Sequence, residues 1–177
     1  LYGAARDVIG KRLQGQAASH SRLLYVQHMI EKLNGFTNYA ESLLAQSAYW
    51  EGYFNHMTLR PGIRPALKLL KDCGIPCVLV TDLTAELQME KVLHLELDDD
   101  FGFMVSSEEA GAEKPDTRPL QLALQKVGRL AQHCVMIGDS KERDQVVATA
   151  LGLSFIGVAS DEDAQALAGR LRAWVAG

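Results

Sequence analysis

Asp139 and Asp144 stand five positions apart in VMIGDSKERD, residues 135–144, where an apolar run gives way to polar residues. A carboxylate at the exit of a buried strand has two common uses. It can hold a hard cation such as magnesium through oxygen, or it can cap the next helix, where Asp and Ser are favoured. Asp144 lies inside that next segment. It is either a solvated face residue or, by its spacing, a second acid brought back to the same strand mouth. Thr81 ends the run VLVT and precedes Asp82, and a hydroxyl beside a free backbone amide can cradle a phosphate oxygen. Lys114 in GAEKPD is followed by Pro115, which keeps residue 114 extended. Its ammonium is either bathed in solvent or placed to neutralise a phosphate as a compact charge. Their order is strand-Thr, loop-Lys-Pro, strand-Gly-Asp-Ser and a later Asp. Together these features are more specific than any one of them alone.

The elements that must position these residues change character near residue 58. Before it, AARDVIGKRL, SRLLYVQHMIEKL and NYAESLLAQSAYWEGYF space their apolar residues at three and four, which predicts three helices and no strand. Asn34, Gly35 and Thr37 read as the break between the second and third, with Gly the stop and Thr the cap. After LRPG the pattern alternates. IRPALKLLKDCG, TAELQMEKVLHLEL, RPLQLALQKVG, KERDQVVATALG and DEDAQALAGRLRAWVAG read as helices. CVLVT, FGFMVS, CVMIG and LSFIGVA read as short buried strands. Strands alternating with helices predict a parallel sheet with right-handed crossovers, whose chemistry belongs at the carboxyl ends of the strands. Those ends carry Thr81 and Asp82, Ser106 and Ser107, Asp139 and Ser140, and Ser160 and Asp161.

Composition narrows the field. With 177 residues, 47% hydrophobic and 23% charged, the chain is long enough for a core with a small accessory subdomain. A formal net charge of -4 gives no basic footprint for nucleic acid and no polybasic membrane patch. No apolar stretch is long enough to span a bilayer. Cys73, Cys77 and Cys134 are an odd set in or beside apolar segments, which predicts packed, reduced thiols and a cytoplasmic protein. Cys73 and Cys77 lack the second ligand pair of a zinc site. No GxGxxG or GxxxxGK loop follows any strand, which counts against a generic nucleotide-binding domain.

VLVTDLT, GAEKPD and VMIGDSKERD resemble the second, third and fourth motifs of the haloacid dehalogenase-like (HAD) hydrolase superfamily. The helical stretch before residue 58, with LRPGIRPALKLLKDCGIP after it, is similar to the helical cap and return linker of the C1-type phosphatase branch. LELDDDFGFMVSSEE and SSEEAGAEKPD are also similar to cap-bearing phosphatases. The resemblance covers nearly the whole chain. It implies an α/β fold, with a helical cap over residues 1–58 and a Rossmann-like parallel-sheet core over 59–177. It implies a Mg2+-dependent phosphatase acting on a small phosphorylated metabolite through an aspartyl-phosphate. Thr81 and the amide of Asp82 would bind the phosphoryl group, and Lys114 would offset its charge. Asp139 would ligate magnesium, with Asp144 either as an outer ligand or as the partner of Lys114. Arg22, Tyr25, His28, Tyr49 and Trp50 could face the site from the cap, although aromatic residues at helical spacing usually pack.

The family's first motif, a strand ending in Asp-x-Asp that supplies the nucleophile, has no counterpart here. Asp98, Asp99 and Asp100 precede a strand rather than follow one, and Asp161 and Asp163 are expected to cap the last helix. That strand is central in the family's sheet. Leaving its neighbours unpaired would cost ~1–3 kcal/mol per buried orphan group, against a domain stability of ~5–15 kcal/mol. The expectation is therefore an upstream segment carrying the motif, and an inactive 177-residue chain without it. The alternative is a non-catalytic scaffold or binding protein that keeps the phosphate and metal residues.

Overall fold

The computed structural model describes residues 1–158 and 161–176, the side chains of 161–165 excepted. Three helices come first: α1 (Tyr2–Arg12), α2 (Arg22–Asn34) and α3 (Tyr39–His56). Ser21 caps α2 by accepting from the Leu24 amide at 3.3 Å. Gly35, at φ +78°, ends it in the left-handed conformation that glycine adopts without strain. The cap of α3 differs from expectation. Asn38 accepts from the Glu41 amide at 3.2 Å, whereas Thr37 turns back and donates its hydroxyl to Glu31 at 2.6 Å. Asn38→Ala should accordingly lower stability by about 1 kcal/mol, read as a shift in the urea midpoint, while Thr37→Ala should move it less. Ala5, Ile9 and Tyr25 bury together as a small core joining α1 to α2.

From Ile63 the chain alternates. The order is α4 (Ile63–Asp72), β1 (Val78–Thr81), α5 (Ala85–His94), β2 (Phe103–Ser106), α6 (Ser107–Ala110) and α7 (Arg118–Val127). It continues with β3 (Val135–Gly138), α8 (Val146–Leu151), β4 (Ser154–Gly157) and α9 (Asp161–Ala176). All strand pairing is parallel. β1 pairs with β2 from Val78↔Phe103 to Thr81↔Ser106, and β3 pairs with β4 from Val135↔Ser154 to Gly138↔Gly157. Successive strand residues feed opposite faces. Met136 and Phe155 pack with Leu120, Ala123 and Val147, while Ile137 and Ile156 pack with Ala66, Leu70, Leu167 and Leu171. Helices therefore cover both faces: α7 and α8 on one, α4 and α9 on the other.

The sheet is in two halves. Among the described residues no ladder joins β1 to β3. An apolar cavity of about 350 Å³ lies between them, lined by Val78, Val80, Met136 and Ile137 together with helical side chains such as Leu70 and Leu171.

Two other expectations change, and one falls outside the described residues. The segment KERDQVVATALG is not one α-helix: Lys141–Gln145 forms a wider π-turn before α8 begins. Cys73 is exposed rather than packed, with Cys77 and Cys134 half-buried. Ala159 and Ser160 lie outside the described residues, as do the side chains of Asp161 and Asp163. No helix among the described residues is long and apolar enough to cross a membrane.

Candidate active site

Lys114 draws the mouths of β1 and β3 together. Its Nζ lies 2.9 Å from Asp144 Oδ1 and 4.0 Å from Asp82 Oδ2, and donates to the Val80 carbonyl at 3.4 Å. Its backbone amide donates to Asp82 Oδ1 at 3.0 Å, and Asp82 Oδ2 meets Arg143 Nη1 at 3.3 Å. Two carboxylates, a lysine and an arginine thus form one network. The side chains of Lys114 and Asp82 are each 10% exposed and that of Asp144 is 5%. The Lys114 pairs are buried, so solvent screens them little, whereas the Arg143 side chain is 48% exposed and its pair with Asp82 is screened.

Asp144 reaches this position because of the π-turn. Its amide donates to the Ser140 carbonyl at 2.8 Å, and its Oδ2 accepts from the Ser140 amide at 3.1 Å. That folds the carboxylate back over the end of β3. A Cβ on residue 138 would stand 2.3 Å from Asp144 Oδ2, so the approach is open only because residue 138 is glycine. Asp144 Oδ1 makes no hydrogen bond of good geometry; the Lys114 ammonium is its neighbour. Of the two readings of Asp144, the solvated one is excluded by burial.

Asp139 is placed differently. Its side chain is 56% exposed and its carboxylate stands 3.8 Å from Arg60 Nη2, a loose surface pair. It does not cap the next segment; Ser140 does, accepting from the Arg143 amide at 3.2 Å. Thr81, at the end of β1, donates its hydroxyl to Gln88 Oε1 at 3.0 Å. The structure therefore gathers Asp82, Lys114 and Asp144, sets Thr81 at the adjoining strand end, and leaves Asp139 at the rim. Among the described residues no group of three His, Cys, Asp or Glu side chains is close enough to cage a metal ion.

Several contributors were not evident from the sequence. Asp82 acts here through its carboxylate, not only its amide, and Arg143 and Gln88 join through tertiary contact. Glu113 fastens the N-terminal helical region to this loop. Its carboxylate accepts from Ser19 Oγ at 2.7 Å and lies 3.2 Å from His20 Nε2, and its amide donates to the Gly15 carbonyl at 3.1 Å. The only sequence signal for Glu113 is its position beside Lys114.

The family model described as haloacid dehalogenase-like hydrolase matches residues 13–158, a span that holds every residue of the network. The chain belongs to the haloacid dehalogenase-like hydrolases. A ribulose-1,5-bisphosphate 5-phosphatase of Halopiger xanaduensis is 33% identical over 156 residues, which is 88% of this chain and 65% of that protein. A phosphoglycolate phosphatase of Chromobacterium violaceum is 33% identical over 110 residues, 62% of this chain and 49% of that one. This haloacid dehalogenase-like chain thus spans about half to just under two thirds of the length of these relatives. In fold it is similar to a 2-haloacid dehalogenase from Pseudomonas syringae pv. tomato, with a TM-score of 0.71 and 19% identity over 98% of this chain and 80% of the other.

Proposed function

We propose that this haloacid dehalogenase-like hydrolase acts as a phosphatase on a small phosphorylated metabolite, with the phosphoryl group seated against Lys114, Thr81 and the Asp82 amide. The observation that carries this reading is the burial of Lys114 at the joined mouths of β1 and β3. A lysine kept there in an ion pair supplies positive charge at a dry position, which is what a transferring phosphoryl group needs. The relatives named as phosphatases support it.

The residues fit magnesium in their chemistry. Asp139 offers exposed carboxylate oxygens at the strand mouth, and Asp144 Oδ1 is a buried oxygen without a hydrogen bond. Both are the hard donors that magnesium takes. In this reading Asp139 ligates the ion, and Asp144 stands behind it while holding Lys114 in place. Bound magnesium supplies charge neutralisation to the phosphoryl oxygens. Lys114 would offset charge on the same group, and Thr81 would exchange its Gln88 partner for a phosphate oxygen. Residues 1–58 act as the cap and 59–177 as the core. An aspartyl-phosphate route also needs a nucleophilic carboxylate, and Asp82, the acid that directly follows β1, is already engaged by the Lys114 amide and by Arg143. The 177-residue chain is therefore expected to bind phosphate without turning it over.

Calorimetric titration of the chain with inorganic phosphate in magnesium buffer tests the reading. Wild type should bind, and Thr81→Val and Lys114→Ala should weaken binding by roughly threefold and 10–100-fold, the range for a neutral and a charged hydrogen bond. No binding by wild type would sink the assignment. Steady hydrolysis of an aryl phosphate by the same chain would show that the nucleophile had been sought in the wrong place.

A further inference from the structure

Thr81 and Gln88 are brought together by a corner of chain that is pinned at each step. Thr81 ends β1 and donates its hydroxyl to Gln88 Oε1, near the start of α5, at 3.0 Å. Between them, Asp82 Oδ1 accepts from the Lys114 amide at 3.0 Å, and the Leu83 carbonyl accepts from Ser107 Oγ at 3.4 Å. The Ala85 amide donates to Glu108 Oε2 at 2.9 Å, and the Gln88 amide donates to the Thr84 carbonyl at 3.2 Å. With the corner fixed in this way, α5 starts from a set point and keeps Gln88 within reach of Thr81. Both residues are half-buried.

The hydrogen bond between them points the wrong way for an anion. A threonine hydroxyl has one hydrogen and two lone pairs. Here the hydrogen goes to Gln88, so a phosphoryl oxygen at the strand mouth would meet lone pairs, which repel it. The Asp82 amide and the Lys114 ammonium offer hydrogens, and of these three groups only the hydroxyl is turned away. Gln88 carries the means of turning it back. Its side chain ends in a flat amide with an acceptor at one corner and two donor hydrogens at the other, on a terminal torsion that is broad and roughly two-fold. Among the described residues Gln88 Nε2 has no acceptor, so the donor half of the amide is unused. A polar group left idle in a half-buried position calls for an explanation. Half a turn of the amide carries Nε2 to where Oε1 stands. Gln88 then donates to Thr81 Oγ1 rather than accepting from it, and the hydroxyl hydrogen is released.

We propose that Gln88 is a positioning residue for the phosphate site: when the phosphoryl group arrives, the Gln88 amide turns over, Nε2 donates to Thr81 Oγ1, and the hydroxyl redirects its hydrogen to a phosphoryl oxygen. The proposal rests on the phosphatase reading above. No covalent bond changes and no proton changes owner. Two hydrogen bonds replace one, and the new one to phosphate is charge-assisted and strong. The anion therefore selects the turned amide. Gln88 acts only through Thr81 in this arrangement. A glutamate in its place has acceptors at both corners and holds the hydroxyl hydrogen whichever way it turns.

Two measurements on the chain in magnesium buffer, with inorganic phosphate as the probe, test the proposal. The first is proton–nitrogen NMR of the Gln88 side-chain amide, assigned through its own side-chain connectivity. Its resonances should move downfield as phosphate saturates wild type, because one Nε2 hydrogen gains an acceptor. In Thr81→Val saturated with phosphate they should stay in place, because Nε2 then has no oxygen to meet. The second is calorimetry. Thr81→Val should weaken phosphate binding roughly threefold in the otherwise wild-type chain, as loss of a neutral hydrogen bond does. In a Gln88→Glu background the same substitution should cost nothing further, since the carboxylate already keeps the hydroxyl hydrogen from the phosphate. The spectral measurement involves no substitution at residue 88, so it decides the matter even if Gln88→Glu fails to fold. Resonances that stay put while phosphate binds wild type, or that move alike in Thr81→Val, would overturn the proposal. So would an equal loss from Thr81→Val in both backgrounds. In each of these cases phosphate still binds, and the proposal fails alone. If wild type binds no phosphate, the phosphatase reading fails with it.

Discussion

Asp144→Asn should destabilise the fold by about 3–5 kcal/mol, the usual result of removing one member of a buried ion pair. The Lys114 and Asp144 side chains are 10% and 5% exposed and sit 2.9 Å apart, so neither group regains water when the other is neutralised. Asparagine keeps the shape and can still accept from the Ser140 amide, which isolates the charge as the variable. Lys114 retains Asp82 at 4.0 Å and the Val80 carbonyl at 3.4 Å, which places the loss toward the lower end of the range. Lys114→Met should be comparably harmful, because it strands the Asp144 carboxylate. The double variant Lys114→Met with Asp144→Asn should lose less than the two single losses added together, since no charge is then left buried without a partner. Urea unfolding of the four proteins measures the cycle. A loss below ~1 kcal/mol in Asp144→Asn would place the pair among solvated surface bridges instead.

Gly138→Ala should be the most damaging exchange of so few atoms. The added methyl would stand 2.3 Å from Asp144 Oδ2 and 2.6 Å from both its Cβ and its Cγ. The strand cannot easily yield, because Gly138 pairs with Gly157 in the ladder and its carbonyl accepts from the Val158 amide at 2.8 Å. The π-turn must move instead, and with it the carboxylate on Lys114. Overpacking of this kind costs about 1–3 kcal/mol, and loss of the ion pair would add to it. Phosphate affinity should fall as well, because Lys114 loses its anchor. Thermal unfolding and phosphate titration of Gly138→Ala check both effects. In an Asp144→Gly background, where the obstructing side chain is gone, the further effect of Gly138→Ala should shrink to a few tenths of a kcal/mol, ordinary for a change that meets no neighbour. Full additivity would locate the clash elsewhere.

The difference between these two residues and their neighbours marks how far the sequence could be read. Strands such as VLVT and VMIG were legible because they are short apolar runs between polar residues, and the parallel order followed from their alternation with helices. The positions of Thr81 and Asp139 were legible for the same reason: one ends β1 and the other follows β3, at the carboxyl ends where a parallel sheet gathers its loops. Which of two acids is buried was not legible. Asp139 is nearer the strand and is exposed, while Asp144 is farther along and is covered, because the π-turn sends the chain back on itself. Local propensity does not distinguish a π-turn from the first turn of an α-helix. The tyrosines around Arg22 pose a similar problem. Helical spacing puts Tyr25 and Tyr49 on their helices' inner faces, but only the packing of α2 on α3 brings both rings to the same guanidinium. The division of the sheet into two pairs was likewise a matter of what lies between β1 and β3, not of either strand's own residues.

Glu113 and Lys114 are consecutive, yet they serve different bodies. Glu113 grips Gly15, Ser19 and His20 beside the N-terminal helices, and Lys114 grips Asp82 and Asp144 over the sheet. One peptide unit separates the two grips, too short a length of chain to act as a slack tether. Pulling the helices away from the sheet must therefore break the bonds of Glu113 outright or drag the backbone of Lys114 with them. In mechanical terms the joint is a rigid coupling, and the helical region cannot swing at this point without the charge at the heart of the site registering the swing.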